Sequence, residues 1–435
     1  MTSPMFATET QMHGGTHSAG VKSSAAPSGY LRLQLLLGWI NLTLTAPVVY
    51  LYVGLPLVLR QHGWSATDIG LLQLAGLPAI LKFLLAAPVD RYPLGKTGYR
   101  RWGMLLALIY ALLLLLFSGI TLQTTPWSVL FMLALSINLM GTWTDVPVNS
   151  LAIRYLPESE RLSAGAIRSA ATSLGAIAGG GIMLFLYSRH GWALPLQVMA
   201  VAIASGFILL ALYRLQAVSG NPGQRAPGRT GWRTWQAYFR LPGHGKWAIL
   251  MLFYFPFVGA AWVYLKPLLL DSGLSAGKIA MIVGIAGGVL SALASLVAAR
   301  LTKRYGMTRM LPGFAWLNVA TLLLILLLVA TGAPAGALVG AAFLLAIAVG
   351  AASGLVFGVM MYFVRPGLQA LDYGIQSSLF ILTRTLVPAI AGILIDRTGY
   401  AGMLGALVTG ALIIAWITTT WRQSLSSAMI ASSRK

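Results

Sequence analysis

Apolar runs of about 20 residues recur along most of this 435-residue chain, the length a helix needs to cross a hydrocarbon layer about 30 Å thick. Reading them between loop signals places twelve spans. The first six are Leu33 to Arg60, Thr67 to Val89, Trp102 to Leu122, Pro126 to Leu151, Leu162 to Tyr187 and Trp192 to Tyr213. The second six are Trp247 to Leu270, Gly277 to Ala299, Leu311 to Thr331, Ala335 to Val364, Tyr373 to Ile395 and Tyr400 to Trp421. With 57% hydrophobic and 9% charged residues, the chain has too little charge to cover a soluble globule of its size. Alternating ten-residue strands are absent, which argues against a barrel. The expectation is an all-α membrane protein of twelve transmembrane helices in two pseudo-symmetric six-helix bundles.

Charge then gives orientation. The net charge is +21, and such a basic excess raises nucleic acid as a partner until its placement is examined. An even number of spans puts both termini on one side, where twenty-two Lys and Arg fall; the other side has only Arg60, Arg189, Lys278 and Arg397. That bias assigns the termini to the cytoplasm and leaves no role for nucleic acid. The expected organisation is a cytoplasmic tail over 1–30, a first bundle over 31–215, a basic linker over 216–246, a second bundle over 247–421 and a tail over 422–435. The halves carry a short repeat: Gly63-Trp-Ser-Ala-Thr-Asp-Ile69 before span 2 is similar to Gly273-Leu-Ser-Ala-Gly-Lys-Ile279 before span 8.

Several chemistries lack material. The chain has no cysteine, and its five histidines lie outside the apolar runs, so no metal or cofactor is expected and an enzyme is disfavoured. A Gly-rich nucleotide loop ending in Lys-Ser or Lys-Thr is also missing, so an ATP motor is not expected.

A family resemblance enters between spans 2 and 3. There Asp90-Arg91, then Gly98, Arg100 and Arg101 stand on a short loop that resembles the signature of the major facilitator superfamily. The resemblance implies a gating role for Asp90, Arg91, Arg100 and Arg101, with the Asp tying the end of helix 2 to the opposite half. The second half has Leu301-Thr-Lys303-Arg304-Tyr-Gly306, in which Lys303 occupies the expected Asp position. The string Lys82-Phe-Leu-Leu-Ala-Ala-Pro88-Val-Asp90-Arg91-Tyr92 is similar to the muropeptide permease and acetyl-CoA transporter branch. Tyr92-Pro93-Leu94-Gly95, Trp143-Thr-Asp145-Val-Pro-Val-Asn149 and Asp372-Tyr-Gly-Ile-Gln376-Ser377-Ser378-Leu-Phe380 most resemble the RhtX/FptX-type siderophore permeases. That resemblance implies import of a ferric siderophore across a bacterial inner membrane; protons are the family's default coupling ion, and a monomer is expected. A muropeptide or other large-anion permease, or an efflux pump, is the alternative.

Ionisable residues within spans are costly and point to function. They are Lys82, Asp145, Arg168, Lys266 and Arg384. Counted along their helices, Lys82, Asp145 and Arg168 lie at one depth, roughly 10 to 14 Å from the cytoplasmic end, and are expected to cluster. The cluster reads either as a structural ion-pair network or as a proton-coupling site at Asp145, with Asn149 on the same helical face. Arg384 lies about 18 Å into its helix with Ser377 and Phe380 on its face, suited to an anionic cargo or to pairing with carbonyls or Asp145. Lys266 attracts anions at the entrance or snorkels to the surface. Of the many aromatic residues, Tyr50, Tyr254 and Trp262 are the expected stacking partners for cargo, against an interfacial reading for most others. Gly175-x-x-x-Gly179-Gly180-Gly181 in span 5 and Gly284-x-x-Gly287-Gly288 in span 8 are expected to let those helices meet closely across the halves.

Overall fold

A computed structural model describes residues 28–433, apart from 65–67, 69–70, 93, 95–97, 123 and 216–231. The expected N-terminal tail up to residue 27 and most of the expected linker therefore lie outside the described residues. All regular structure among the described residues is helical, the form in which a chain within lipid satisfies its own backbone.

The first half contains six helical segments. Helix α1 runs Ser28–Val49, continues through a π turn at Tyr50–Gly54 and ends with Leu55–Gln61. Helix α2 is Lys82–Arg91, preceded by a 3-10 stretch at Gln73–Ala79. Helices α3 (Gly98–Ser118) and α4 (Trp127–Tyr155) follow. Helix α5 comprises Arg161–Ile177, a π segment Ala178–Ile182 and Met183–His190, and α6 is Ala193–Leu212.

The second half repeats the pattern. Helix α7 is broken into His244–Phe253 and Pro256–Asp271. Helix α8 comprises Ala276–Ile279, a π segment Ala280–Ala286 and Gly287–Tyr305; α9 is Met307–Ala330 and α10 Ala335–Met360. One long helical stretch, Gln369–Ser433, reverses at Gly399, whose φ of 69° interrupts the helix and divides it into α11 (369–398) and α12 (400–433).

Ten helices among the described residues are long and apolar enough to cross a membrane, the tenth being the undivided pair α11 and α12. Helix α2 falls short of that length because Gly76 and Pro78 sit in the turns before it. Pro78 has no amide hydrogen to donate, and the local ladder tightens to 3-10. Pro256 breaks α7 for the same reason. There Asn318 of α9 donates to the freed Tyr254 carbonyl at 3.4 Å.

Two segments differ from the expected loops. Trp232–Arg240, inside the expected linker, forms a helix, and the helical backbone of α12 continues through the expected tail to Ser433. We call the end of the bundle bearing this linker helix the basic face.

The two halves meet along α5 with α8 and α10, and along α11 with α2 and α4. Small side chains make the first contact. A Cβ on Gly165 would overlap the backbone of Gly358, and one on Gly358 would press on Leu162. Hydroxyls stitch the same seam: Ser169 Oγ lies 2.6 Å from Ser353 Oγ, and Ser295 Oγ donates to the Ala166 carbonyl at 3.1 Å.

The glycines expected to join α5 and α8 mostly do something else. Gly175 and Gly179 press on Thr45 and Ala46 of α1, Gly287 meets Trp262 of α7, and nothing lies within 4 Å of a Cβ at Gly181 or Gly284. Gly288, facing Ile177, is the member that meets the other half. A glycine pattern reveals thin helix faces but not which neighbour fills them.

The Gly165–Gly358 crossing leaves no space for a side chain. Gly165→Val is expected to cost about 2 kcal/mol by overpacking. The check is a lowered thermal midpoint of the purified protein, against little change for Gly181→Val.

Candidate functional site

Three charged residues from three helices of the first half converge within the bundle. Lys82 opens α2 just after the 3-10 break, Asp145 lies on α4 and Arg168 on α5. Lys82 Nζ donates to Asp145 Oδ2 at 2.7 Å, and Arg168 approaches the same oxygen at 3.3 Å. Asn149, one turn along α4, donates to Asp145 Oδ1 at 2.8 Å and fixes the carboxylate's orientation. The grouping expected from axial depth is what the helices assemble.

The second half completes the cluster. The Tyr373 hydroxyl of α11 donates to Asp145 Oδ2 at 2.8 Å. The Arg168 guanidinium carbon lies 4.2 Å from the centroid of the Phe357 ring of α10 and 5.1 Å from that of Tyr373. Sequence reasoning missed Tyr373, although it stands inside the quoted Asp372–Phe380 string. A phenol at a helix start carries no signal of a charged partner on another helix.

Two cations face one carboxylate here, leaving a formal excess of one positive charge. Arg168 Nε and one of its terminal nitrogens are buried without a hydrogen-bond partner among the described residues. Beside them lies a small pocket, which Gln34, Asn41, Asn149 and Arg168 help to line.

Arg384 stands apart from this cluster. Tyr373, Ser377, Phe380 and Arg384 follow one another at helical spacing, and the first three are buried while Arg384 is exposed. Phe380 packs between Phe255 of α7 and Phe357, at centroid separations of 5.1 and 5.3 Å. Eleven residues beyond Tyr373, Arg384 is about 16 Å further from the basic face. It makes no hydrogen bond or ion pair among the described residues. Lys266 on α7 is likewise exposed and unpaired among them.

The aromatic expectations divide. Trp262 is half-buried against Gly287 of α8. Tyr50 is wholly buried inside the first half, 6.3 Å from Trp192, with its hydroxyl unpartnered among the described residues. Tyr254 is buried inside the second half, donating to the Leu311 carbonyl of α9 at 2.7 Å. Both rings are buried within their own bundles, Tyr50 at the first residue of a π turn and Tyr254 in the break before Pro256. Neither is carried into the site proposed below.

The gating residues also divide. Asp90 accepts hydrogen bonds from the backbone N–H groups of Ala370 and Leu371 at 3.2 and 2.7 Å, at the N-terminus of α11 in the other half. The Tyr99 hydroxyl donates to it at 2.5 Å and also reaches Gln369. Arg100 turns to the Ala211 carbonyl at the end of α6, Arg91 lies over the Tyr92 ring, and Arg101 is exposed. At the matching place in the second half, Lys303 bonds Glu160 at 3.2 Å, across the seam from α8 to the start of α5. Tyr362 adds a bond to the Glu158 carbonyl at 2.8 Å. These contacts close the seam at the basic face.

Asp90 follows Val89, the last residue of span 2. Burial pushes its carboxyl up to about 7, against the Tyr99 hydroxyl and the Leu371 and Ala370 amides, which hold it down.

A profile of the Major Facilitator Superfamily matches residues 35–380. An uncharacterized protein of Haemophilus influenzae is 24% identical over 314 residues, covering 68% of this chain and 73% of its own. Among solved structures, a bacterial homologue of the iron transporter ferroportin in its outward-facing state aligns with a TM-score of 0.69 at 15% identity, covering 90% of this chain and all of its own. The transporter FucP in its outward conformation gives 0.68 at 16%, over 91% of this chain and 99% of its own. The human organic anion transporter MFSD10 (TETRAN) gives 0.70 at 16%, over 90% and 99%. At these identities the structural likenesses carry the fold.

The Asp90 contact predicts that closing the seam takes up a proton. With the carboxyl near the ordinary 3.8 when the seam is open and about 7 when it is closed, acidification from pH 8 to pH 5.5 favours closure, and that gain is lost as pH rises through about 7. Spin labels at Arg101→Cys and Arg304→Cys, on a chain that has no cysteine of its own, would report the closed population by electron–electron distance. It should rise on acidification and become flat in Asp90→Asn.

Proposed function

This chain belongs to the Major Facilitator Superfamily, and from that premise we propose that it is a secondary active importer of a small anionic, aromatic-bearing molecule. A ferric siderophore is the leading cargo. The membrane is the bacterial inner membrane, with both termini cytoplasmic, as the placement of basic residues indicates.

The observation that carries the reading is the surplus of cations inside the bundle. Lys82 and Arg168 share one carboxylate, while Arg384 and Lys266 have no acidic partner among the described residues. Uncompensated positive charge within a membrane-spanning bundle is costly, and an anionic cargo would offset it. The guanidinium of Arg384 suits a carboxylate, catecholate or phenolate oxygen. The Tyr373, Ser377 and Phe380 stripe, buried in this arrangement, would supply aromatic and hydroxyl surface once the halves part. The names of two structural neighbours, an iron-transporter homologue and an organic anion transporter, are in keeping with this cargo class.

Coupling centres on Asp145. While Asp145 is ionised it occupies Lys82, Arg168 and the Tyr373 hydroxyl together. Protonation would free both cations for cargo and weaken the bond from α4 to α11 that helps hold the halves together. Cargo arrival and seam opening then share one proton, an arrangement suited to alternating access by symport.

The test uses purified protein in liposomes and uptake of radiolabelled iron on catecholate and hydroxamate siderophores, with a muropeptide as comparison cargo. Arg384→Gln is expected to reduce affinity for the transported anion by about 10- to 100-fold, the scale of one charged hydrogen bond. Asp145→Asn is expected to remove the dependence of uptake on a pH gradient. Unchanged uptake in Arg384→Gln, or full pH dependence in Asp145→Asn, would overturn the respective assignment.

A further inference from the structure

The linker helix Trp232–Arg240 seats across the seam between the halves. Tyr238 is wholly buried among Leu368, Leu371 and Ile375 of the second half, and Phe83 and Ala87 of α2 in the first half border the same apolar cluster. Trp235 meets the Phe83 ring edge to face, with centroids 5.1 Å apart. Arg365 fastens the helix from the second half: it donates to the Thr234 carbonyl at 3.0 Å and its guanidinium carbon lies 5.8 Å from the Tyr238 ring centroid. The same arginine holds Asp372 at the start of α11 through Nε at 2.9 Å. One short helix thus covers the place where α2 meets α11.

Its other face has a different character. Arg233, Gln236, Ala237 and Arg240 share one helical side and are exposed, with Phe239 exposed beside them. From Arg214 to Lys246 the sequence has six basic residues and no acidic one. A helix with buried aromatics, an outward basic face and a flanking exposed phenylalanine, at the end of a membrane-spanning bundle, has the composition of an interfacial helix.

We propose that the linker helix is a clamp over the α2–α11 seam whose outer face docks on anionic phospholipid headgroups of the adjoining leaflet. Separation of the halves at the basic face pulls Phe83 away from Leu371, so the helix loses one side of its seat. Headgroup contacts with Arg233 and Arg240 hold it at the level of the seam and favour the closed arrangement. At an anionic surface each arginine shifts that balance about fivefold, and the pair together about thirtyfold. The proposal needs no knowledge of the cargo.

The test places spin labels at Gln236→Cys on the linker helix and Arg304→Cys on α8. The full-length protein goes into nanodiscs of phosphatidylcholine alone, or of phosphatidylcholine mixed with phosphatidylglycerol. A single short distance with phosphatidylglycerol and a broad distribution without it is the expected result. The doubly neutralised variant, Arg233→Gln with Arg240→Gln, is expected to be broad in both lipids, as is Trp235→Ala, which removes the seat itself. A distribution identical in the two lipids overturns lipid docking, as does a lipid response that survives double neutralisation. A narrow distribution in Trp235→Ala overturns the clamp. Variants that do not elute as one symmetrical species are replaced by Tyr238→Phe, which removes only the hydroxyl and is expected to behave as the parent.

Discussion

A carboxylate held inside a membrane-spanning bundle has to be surrounded by donors, and Asp145 draws them from both halves. Lys82, Arg168 and Asn149 come from the first bundle, and the Tyr373 hydroxyl from the second. The contact is therefore both an internal support and a bridge across the seam. Much of the surrounding architecture follows from it. The 3-10 break sets the start of α2 at Lys82, small residues along α5 let α10 approach until Phe357 covers Arg168, and α11 runs close enough for its first turns to reach α4.

What the sequence conveyed well was whatever depends on one helix at a time. Hydrophobic length gave the spans, and residue counts from the loop ends put Lys82, Asp145 and Arg168 at one depth, where the helices indeed bring them together. Partnerships that depend on helix rotation were harder to read. Tyr50 and Tyr254 were legible as aromatic residues in spans 1 and 7, but both lie buried inside their own bundles, beside a π turn and a proline break. The glycines of α5 were legible as a thin face, yet mostly α1 fills it. Tyr373 and the linker helix left no pattern of their own. One is a lone hydroxyl, and the other is a nine-residue amphipathic stretch within a segment rich in Gly, Pro and Arg.

The contacts that close the seam at the basic face show how two similar halves come to use different chemistry. In the first half, the Asp90 carboxyl at the end of α2 accepts from the free amides at the start of α11. In the second half the acid has moved: Glu158 and Glu160 stand at the start of α5 itself, and the end of α8 supplies Lys303. Exchanging which helix carries the negative charge preserves attraction across the seam. It changes a contact between carboxylate and backbone into an ion pair between side chains.

That exchange gives the two edges of the closed face unequal resistance to separation. The bonds at Asp90 are buried and made to main-chain amides, so they neither lengthen with side-chain motion nor yield readily to dissolved salt. Lys303 keeps about a third of its side chain accessible, and its attraction to Glu160 is shared with ions in solution. The α5–α8 edge is therefore the weaker fastening against dissolved salt and the α2–α11 edge the stronger, an inequality that two related halves would not suggest.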